Sequence, residues 1–300
     1  MLSFSTYFED VAYTPPDAIL ELTKDYKVDP DTRKVNLGQG RYKDNYGNPW
    51  ILPAVKAAKE AIRDCEHESL PILGHPEFQR LVTELVFKMA SSAIRESRVA
   101  FCQALSGTRA LHVAGMMLVR TSICDQTIYI TNPSWSNHRQ VFESVGFSVR
   151  EFNHASRSGV DMQSLFRAMT KADPMSISEL NLETGVCISF AKSMGIYGER
   201  AGLCAFVSRN HSIVTNVESD LARLIRGEIS NPPAFGARIV AMQKGMFCVL
   251  GLTPDQVYYV KTFHHIYMAE SSRISIAGLN EGNVRYVAEC IHQIICRREE

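Results

Sequence analysis

Residues 185–202, Gly-Val-Cys-Ile-Ser-Phe-Ala-Lys-Ser-Met-Gly-Ile-Tyr-Gly-Glu-Arg-Ala-Gly, gather more chemistry than any other stretch of the chain. The apolar run from Val186 to Ile188 reads as a short buried strand that delivers Ser189 and Lys192 into a turn, and a second apolar run follows from Leu203 to Val207. A lysine between two buried strands is costly unless it is paired or used. A desolvated amine is more often neutral, and so becomes a nucleophile able to form Schiff bases with carbonyls. Ser189 adds a hydroxyl and Arg200 a fork of donors, a set that suits a phosphate. The plainer alternative is a surface Lys and Arg flanking a β-hairpin, and S-x-x-K spacing alone does not decide between them.

Three further stretches must position such a site. Val99 to Leu105 reads as extended, Ser106-Gly107-Thr108 as a turn, and Ala110 to Val119 as a helix; a glycine turn at a helix start points N–H groups at an anion, although Ser or Thr there also serves as a plain cap. Ile128 to Thr131 reads as a strand followed by Asn-Pro-Ser-Trp-Ser-Asn-His, in which Trp135 offers a flat face for a heterocycle or simply packs in a core turn. In Val35–Trp50, Gly38 and Gly40 allow a tight turn and close approach of the backbone to a ligand. Residues 53–65 and 76–96 read as amphipathic helices, and 213–224 and 283–295 as further helices; Val284, Val287, Ile291 and Ile294 give the last one an apolar docking face. A further helix follows Pro15-Pro16, with Ile19, Leu20 and Leu22 as its apolar side.

Taken together, SFAKSMGIYGERAG, NLGQGRY, SGTRAL, NPSWSNH and RISIAG resemble the class I aspartate aminotransferases, enzymes that carry pyridoxal 5′-phosphate. The resemblance runs end to end. It implies fold type I, an α/β arrangement with a mainly parallel sheet in a large domain at 41–242 and a small domain built from both chain ends, 1–40 and 243–300. By the same resemblance Lys192 is the Schiff-base lysine and the catalytic acid and base. Ser106, Gly107, Thr108, Ser189 and Arg200 hold the cofactor phosphate, and Trp135 stacks on its ring. Gly40 lies against the substrate, Arg273 takes its α-carboxylate and Arg226, reaching a neighbouring subunit, its distal carboxylate. The implied reaction is amino transfer between L-aspartate and 2-oxoglutarate, in a homodimer.

The chain also departs from the family's pattern. Gln39 replaces an apolar residue, Ser69 a tyrosine that contacts the phosphate, and Arg109 a glycine, so that Arg109 either crowds the pocket or points to solvent. Between His138, expected to face a carboxylate under the ring nitrogen, and Lys192, the family's H-N-P-T-G and D-x-A-Y-x-G elements have no counterpart, which shortens the large domain near 171–185. The lost Asp keeps the ring an electron sink. A second internal block is missing after Met242. The alternative function is therefore an inactive or incomplete relative acting as a dimer partner, and strands next to the gap are expected to lose their neighbours.

Composition narrows the classes. Lys plus Arg and Asp plus Glu number 32 each and are interspersed, which argues against nucleic-acid or membrane-surface binding. Eight scattered cysteines, without C-x-x-C, fit reduced buried thiols rather than a zinc site or a disulfide framework. The first twenty residues lack a basic and apolar leader, no stretch is long enough to span a bilayer, and a cytoplasmic location is expected.

Overall fold

Ala201–Val207 (β7) is apolar at every position because both its faces are covered, and the sheet is built around it. In the computed structural model β7 pairs antiparallel with Val99–Leu105 (β1) on one side and with Thr184–Ser189 (β6) on the other, so β1 and β6 share a direction. Alternation along the strands divides the core in two. Ala201, Leu203 and Ala205 face Val55, Phe78, Val82 and Ile239, from helices Pro53–Ala61, Pro76–Phe87 and Ala234–Met242. Cys102, Ala104 and Cys204 face Ala110, Val113, Leu221 and Ile225, from helices Ser106–Val119 and His211–Glu228.

Thr127–Asn132 (β2) and Ser148–Asn153 (β3) form a separate two-stranded sheet, paired parallel and linked by helix Asn137–Ser144. Its core of Ile130, Phe142 and Phe147 takes in Leu111 and Val119 of helix Ser106–Val119, which thus touches both sheets. Two short antiparallel pairs complete the strands: Ala155–Ser156 (β4) with Gly159–Val160 (β5), and Phe247–Val249 (β8) with Arg273–Ser275 (β9). Among the described residues no strand lies beyond β6, and none joins β6 to β2.

The structure describes residues 8–16, 18–38, 40, 43–44, 47–87, 92–121, 126–153, 155–156, 159–161, 163–164, 184–242, 247–250, 252–269, 272–275 and 282–296. Residues 161–170, whose sequence reads as a helical stretch, fall largely outside them. Two compact units are distinguished, Met1–Trp50 and Ile51–Glu300. In the first, helix Ala18–Val28 keeps Leu20 and Leu22, two residues of its expected apolar side, exposed. In the second, Pro254–His264 packs on Val284–Cys296 through Val257, Val260, Ile291 and Ile294, while Val284 stays exposed, so the docking face holds only over the last turns. Several boundaries shift from expectation. The helix expected from Ala110 begins at Ser106, because Ser106 itself makes the turn. The helix expected over 76–96 is described as Pro76–Phe87 and Ser92–Arg95.

Cys102, Cys204 and Cys290 are buried free thiols, as expected. Cys102, Cys204 and Cys187 lie opposite one another across β1, β7 and β6, and hydrogen bonding to Cys204 together with burial pushes the Cys187 thiol far up. Among the described residues no group of His, Cys, Asp and Glu is arranged to hold a metal, and no helix is long and apolar enough to cross a membrane.

Candidate functional site

Ser106 and Ser189, 83 residues apart, meet at the ends of β1 and β6 with their hydroxyl oxygens 2.6 Å apart. Two features of the backbone make this possible. Ser106 is in the left-handed region (φ 62°), a conformation that costs a non-glycine residue on the order of 1 kcal/mol, and it turns β1 directly into helix Ser106–Val119. Glycines remove the atoms that would intrude: a Cβ on Gly107 would come within 3.2 Å of the Ser189 Cβ, and one on Gly202 would strike Ser106 and Ile188 backbone atoms at 2.7 Å. No side chain caps the helix start at Leu105. Its first-turn N–H groups and positive dipole end are therefore available to an anion.

Arg200 closes the same corner. It too is left-handed (φ 51°), and its guanidinium donates to the carbonyls of Tyr197 and, at 3.3 Å, of Leu105. Serine hydroxyls, an uncapped helix start and a guanidinium thus form a cup fitted to a phosphate. Thr108, half-buried, lies on the first helical turn above it. Arg109 neither crowds the cup nor points freely to solvent. Its guanidinium donates to Glu228 Oε1 at 2.8 Å and lies 3.0 Å from His112 Nδ1.

Lys192 sits in the connection between β6 and β7. Phe190 and Ile196 peg that connection into the core, Phe190 edge-on against Phe78 with centroids 5.7 Å apart. Between these pegs Lys192 and Ser193 are exposed. Of the two readings of Lys192, desolvated amine or surface lysine flanking a β-hairpin, the second describes its exposure: β6 is only half-buried, and among the described residues no strand lies beyond it. Lys192 has no hydrogen-bond or ion-pair partner among the described residues.

Trp135 is half-exposed after the cis Asn132–Pro133 bond and meets His138 edge-on, centroids 5.3 Å apart. With Asn132, Pro133, Arg139 and Glu151 it lines a cavity of about 220 Å³. His138 Nδ1 lies 2.6 Å from Ser134 Oγ rather than facing the carboxylate expected of it, and burial lowers its pKa. Arg226, in the last turn of its helix, donates to Ser230 Oγ. Ser230 bonds Asn231, and Asn231 donates to the carbonyl of Leu70, beside the exposed Ser69. Arg273 opens β9 opposite Val249, and Gly40 lies in the first unit. The structure therefore brings Ser106, Gly107, Ser189 and Arg200 together, with Lys192 on the adjoining turn.

Sequence reasoning missed Gln103 and Glu228. Gln103 is fully buried; its Oε1 accepts from the His75 N–H at 3.0 Å and its Nε2 donates to the Pro233 carbonyl at 2.7 Å, tying three segments behind the cup. A glutamine inside the apolar run Val-Ala-Phe-Cys-Gln-Ala-Leu was the available signal, since a buried amide must find partners. For Glu228, an ordinary acidic residue in an amphipathic helix, there was none.

Comparison with known proteins places this geometry. The family model for aminotransferase class I and II matches residues 32–180. The chain is 29% identical to the cytoplasmic aspartate aminotransferase of Saccharomyces cerevisiae over 408 residues, covering 97% of each protein, and 29% identical to that of Gallus gallus, covering 98% of this chain and 99% of the relative. An alignment of 408 residues against a chain of 300 leaves more than a hundred positions of the yeast protein without a counterpart, inside an end-to-end match. Among solved structures, the yeast cytoplasmic enzyme superimposes with a TM-score of 0.72 at 28% identity, covering 96% of this chain and 98% of that one. An aromatic-amino-acid aminotransferase of Burkholderia pseudomallei, covalently bound to pyridoxal phosphate, gives 0.73 at 25% identity, covering 97% and 100%. In sequence and in fold, end to end, this chain is similar to the aminotransferases of class I and II.

Proposed function

We propose that the chain binds pyridoxal 5′-phosphate in the Ser106–Ser189 cup, and that its reaction is amino-group transfer between L-aspartate and 2-oxoglutarate. When bound, the cofactor supplies a ring that withdraws electrons from the substrate's α-carbon. Ser106 and Ser189 donate their hydroxyls to the phosphate, Thr108 adds a third, and Arg200 supplies the opposing charge. Trp135 would offer its flat face to the ring. Lys192 would supply the amine for the cofactor carbonyl and would carry the α-proton of the substrate. Arg273 and Arg226 hold the two carboxylates, Arg226 after release from Ser230 and across a homodimer. A cytoplasmic location is proposed with the same reading, in line with the names of the yeast and chicken relatives.

The observation that carries cofactor binding is the 2.6 Å meeting of Ser106 and Ser189 at an uncapped helix start. Titration of the purified chain with pyridoxal phosphate and with pyridoxal, followed by absorbance and tryptophan fluorescence, tests it. Phosphate-dependent binding that weakens in Ser189→Ala is expected; equal affinity for the two ligands would refute it.

A second reading, a chain that binds the cofactor without turnover and serves as a dimer partner, has its own support. No described strand joins β6 to β2, and the sequence between His138 and Lys192 has no counterpart of the family's D-x-A-Y-x-G element, whose Asp pairs with the ring nitrogen. Retained phosphate-dependent binding with no amino transfer from aspartate selects this reading. Measurable transfer excludes it.

A further inference from the structure

The ion pair between Arg109 and Glu228 stands at the rim of the cup and is assembled at a cost. Glu228 is the last residue of helix His211–Glu228, where the negative dipole end disfavours a carboxylate. Its side chain is 13% exposed, and Oε2 is buried without a hydrogen-bond partner among the described residues. Only Oε1 is used, accepting from Arg109 at 2.8 Å and lying 3.2 Å from His112 Nδ1. Burial lowers the His112 pKa against the pull of Glu228, so at neutral pH the imidazole does not neutralise the carboxylate. Arg109 does. It lies three residues beyond Ser106, on the first turn of the helix whose start faces the cup. An unrestrained guanidinium there would be drawn to any anion bound at Ser106 and Ser189.

We propose that Glu228 is a positioning residue that sets the anion affinity of the cup by holding Arg109 aside and cancelling its charge. This rests on the proposed phosphate site. Releasing Arg109 while keeping its charge tightens phosphate binding; removing both charges together returns affinity to the starting value. Glu228 thereby keeps the cup from holding its phosphate ligand too tightly for exchange.

The test measures Kd for pyridoxal phosphate and for pyridoxal in four proteins: the unaltered chain, Glu228→Gln, Arg109→Lys, and the double variant Arg109→Gln/Glu228→Gln. Glu228→Gln is expected to bind pyridoxal phosphate roughly fivefold tighter, the size of one partly screened charge interaction, with pyridoxal unchanged. In 1 M salt the gain should vanish. Arg109→Lys, whose ammonium is a compact charge on a shorter and more flexible stem, should be held less firmly at Glu228 and gain in the same direction even if Glu228→Gln does not fold. The double variant should bind within about twofold of the unaltered chain. Unchanged affinity in both single variants, or an equal gain for pyridoxal, overturns the proposal. If the unaltered chain does not prefer pyridoxal phosphate over pyridoxal, it is the phosphate site itself that fails.

Discussion

Gly202→Ala probes whether the cup is built as described. An alanine methyl would lie 2.7 Å from the Ile188 carbonyl oxygen and from the Cα and carbonyl carbon of Ser106, distances that real Cβ atoms do not adopt. All three atoms belong to the backbone, so no side chain can swing away. Ser106 cannot retreat either, because its left-handed turn is fixed between β1 and the helix. The strain must therefore part β7 from the Ser106 turn, at a cost of about 1–3 kcal/mol and toward the upper end of that range. A lowered urea midpoint with unchanged slope is the expected signature. The 2.6 Å contact between Ser106 and Ser189 should open as well. Pyridoxal phosphate affinity should fall roughly tenfold, about one charged-acceptor hydrogen bond. Gly198→Ala is the control: nothing lies within 4 Å of its added methyl, so it should stay within about 0.5 kcal/mol of the unaltered chain. If Gly202→Ala is as stable as Gly198→Ala and binds equally well, Ser106 does not pack on β7 as inferred.

Lys192→Ala should abolish borohydride-trapped pyridoxal phosphate, since only a positioned amine forms the trapped bond; peptide mapping that finds undiminished label on other lysines would exclude Lys192. Arg226→Leu should weaken aspartate far more than alanine, which has no distal carboxylate, and equal losses in steady-state kinetics would remove Arg226 from the substrate site. His75, His112 and His138 all have lowered pKa values, chiefly through burial. The unfolded chain then binds more protons, so their contribution to stability is full above the ordinary value of 6.5 and is lost as pH falls through it toward the lowered values. Urea midpoints should drop between pH 7 and pH 5, and His138→Asn should flatten that slope; a midpoint that rises on acidification would contradict the assignment.

What the sequence disclosed followed from physics that acts over a few residues. Continuous apolar runs marked β1, β6 and β7, the Ser-Gly-Thr turn marked the helix start, and Pro133 and Trp135 marked the end of β2. What escaped it depended on partners far along the chain. Lys192 stayed undecided between a desolvated amine and a surface lysine, because the exposure of a loop residue is decided by what covers the strand before it, and among the described residues β6 ends its sheet. Arg109 was undecided between pocket and solvent because its partner, Glu228, lies 119 residues away on another helix. Gln103 was overlooked within an apolar run, although its two partners make it the polar pin of the core.

The division of the sheet bears on how the two halves of the site can work together. The phosphate cup belongs to β1, β6 and β7, whereas Trp135 follows β2, and the described strands form no ladder between the two sheets. What links them is helix Ser106–Val119, whose first residue lines the cup and whose Leu111 and Val119 pack against the core of Ile130, Phe142 and Phe147 under the second sheet. A Cβ on Gly115 of this helix would strike Val145 at 2.8 Å, so the helix and the β2–β3 layer meet closely. Packed side chains on one helix hold a distance less rigidly than hydrogen-bonded strands do, because each can shift without breaking a ladder. The cup is thus the better-determined half of the site. Phosphate affinity should depend on residues of β1, β6 and β7, while the placement of a ring against Trp135 depends on how firmly one helix joins two sheets.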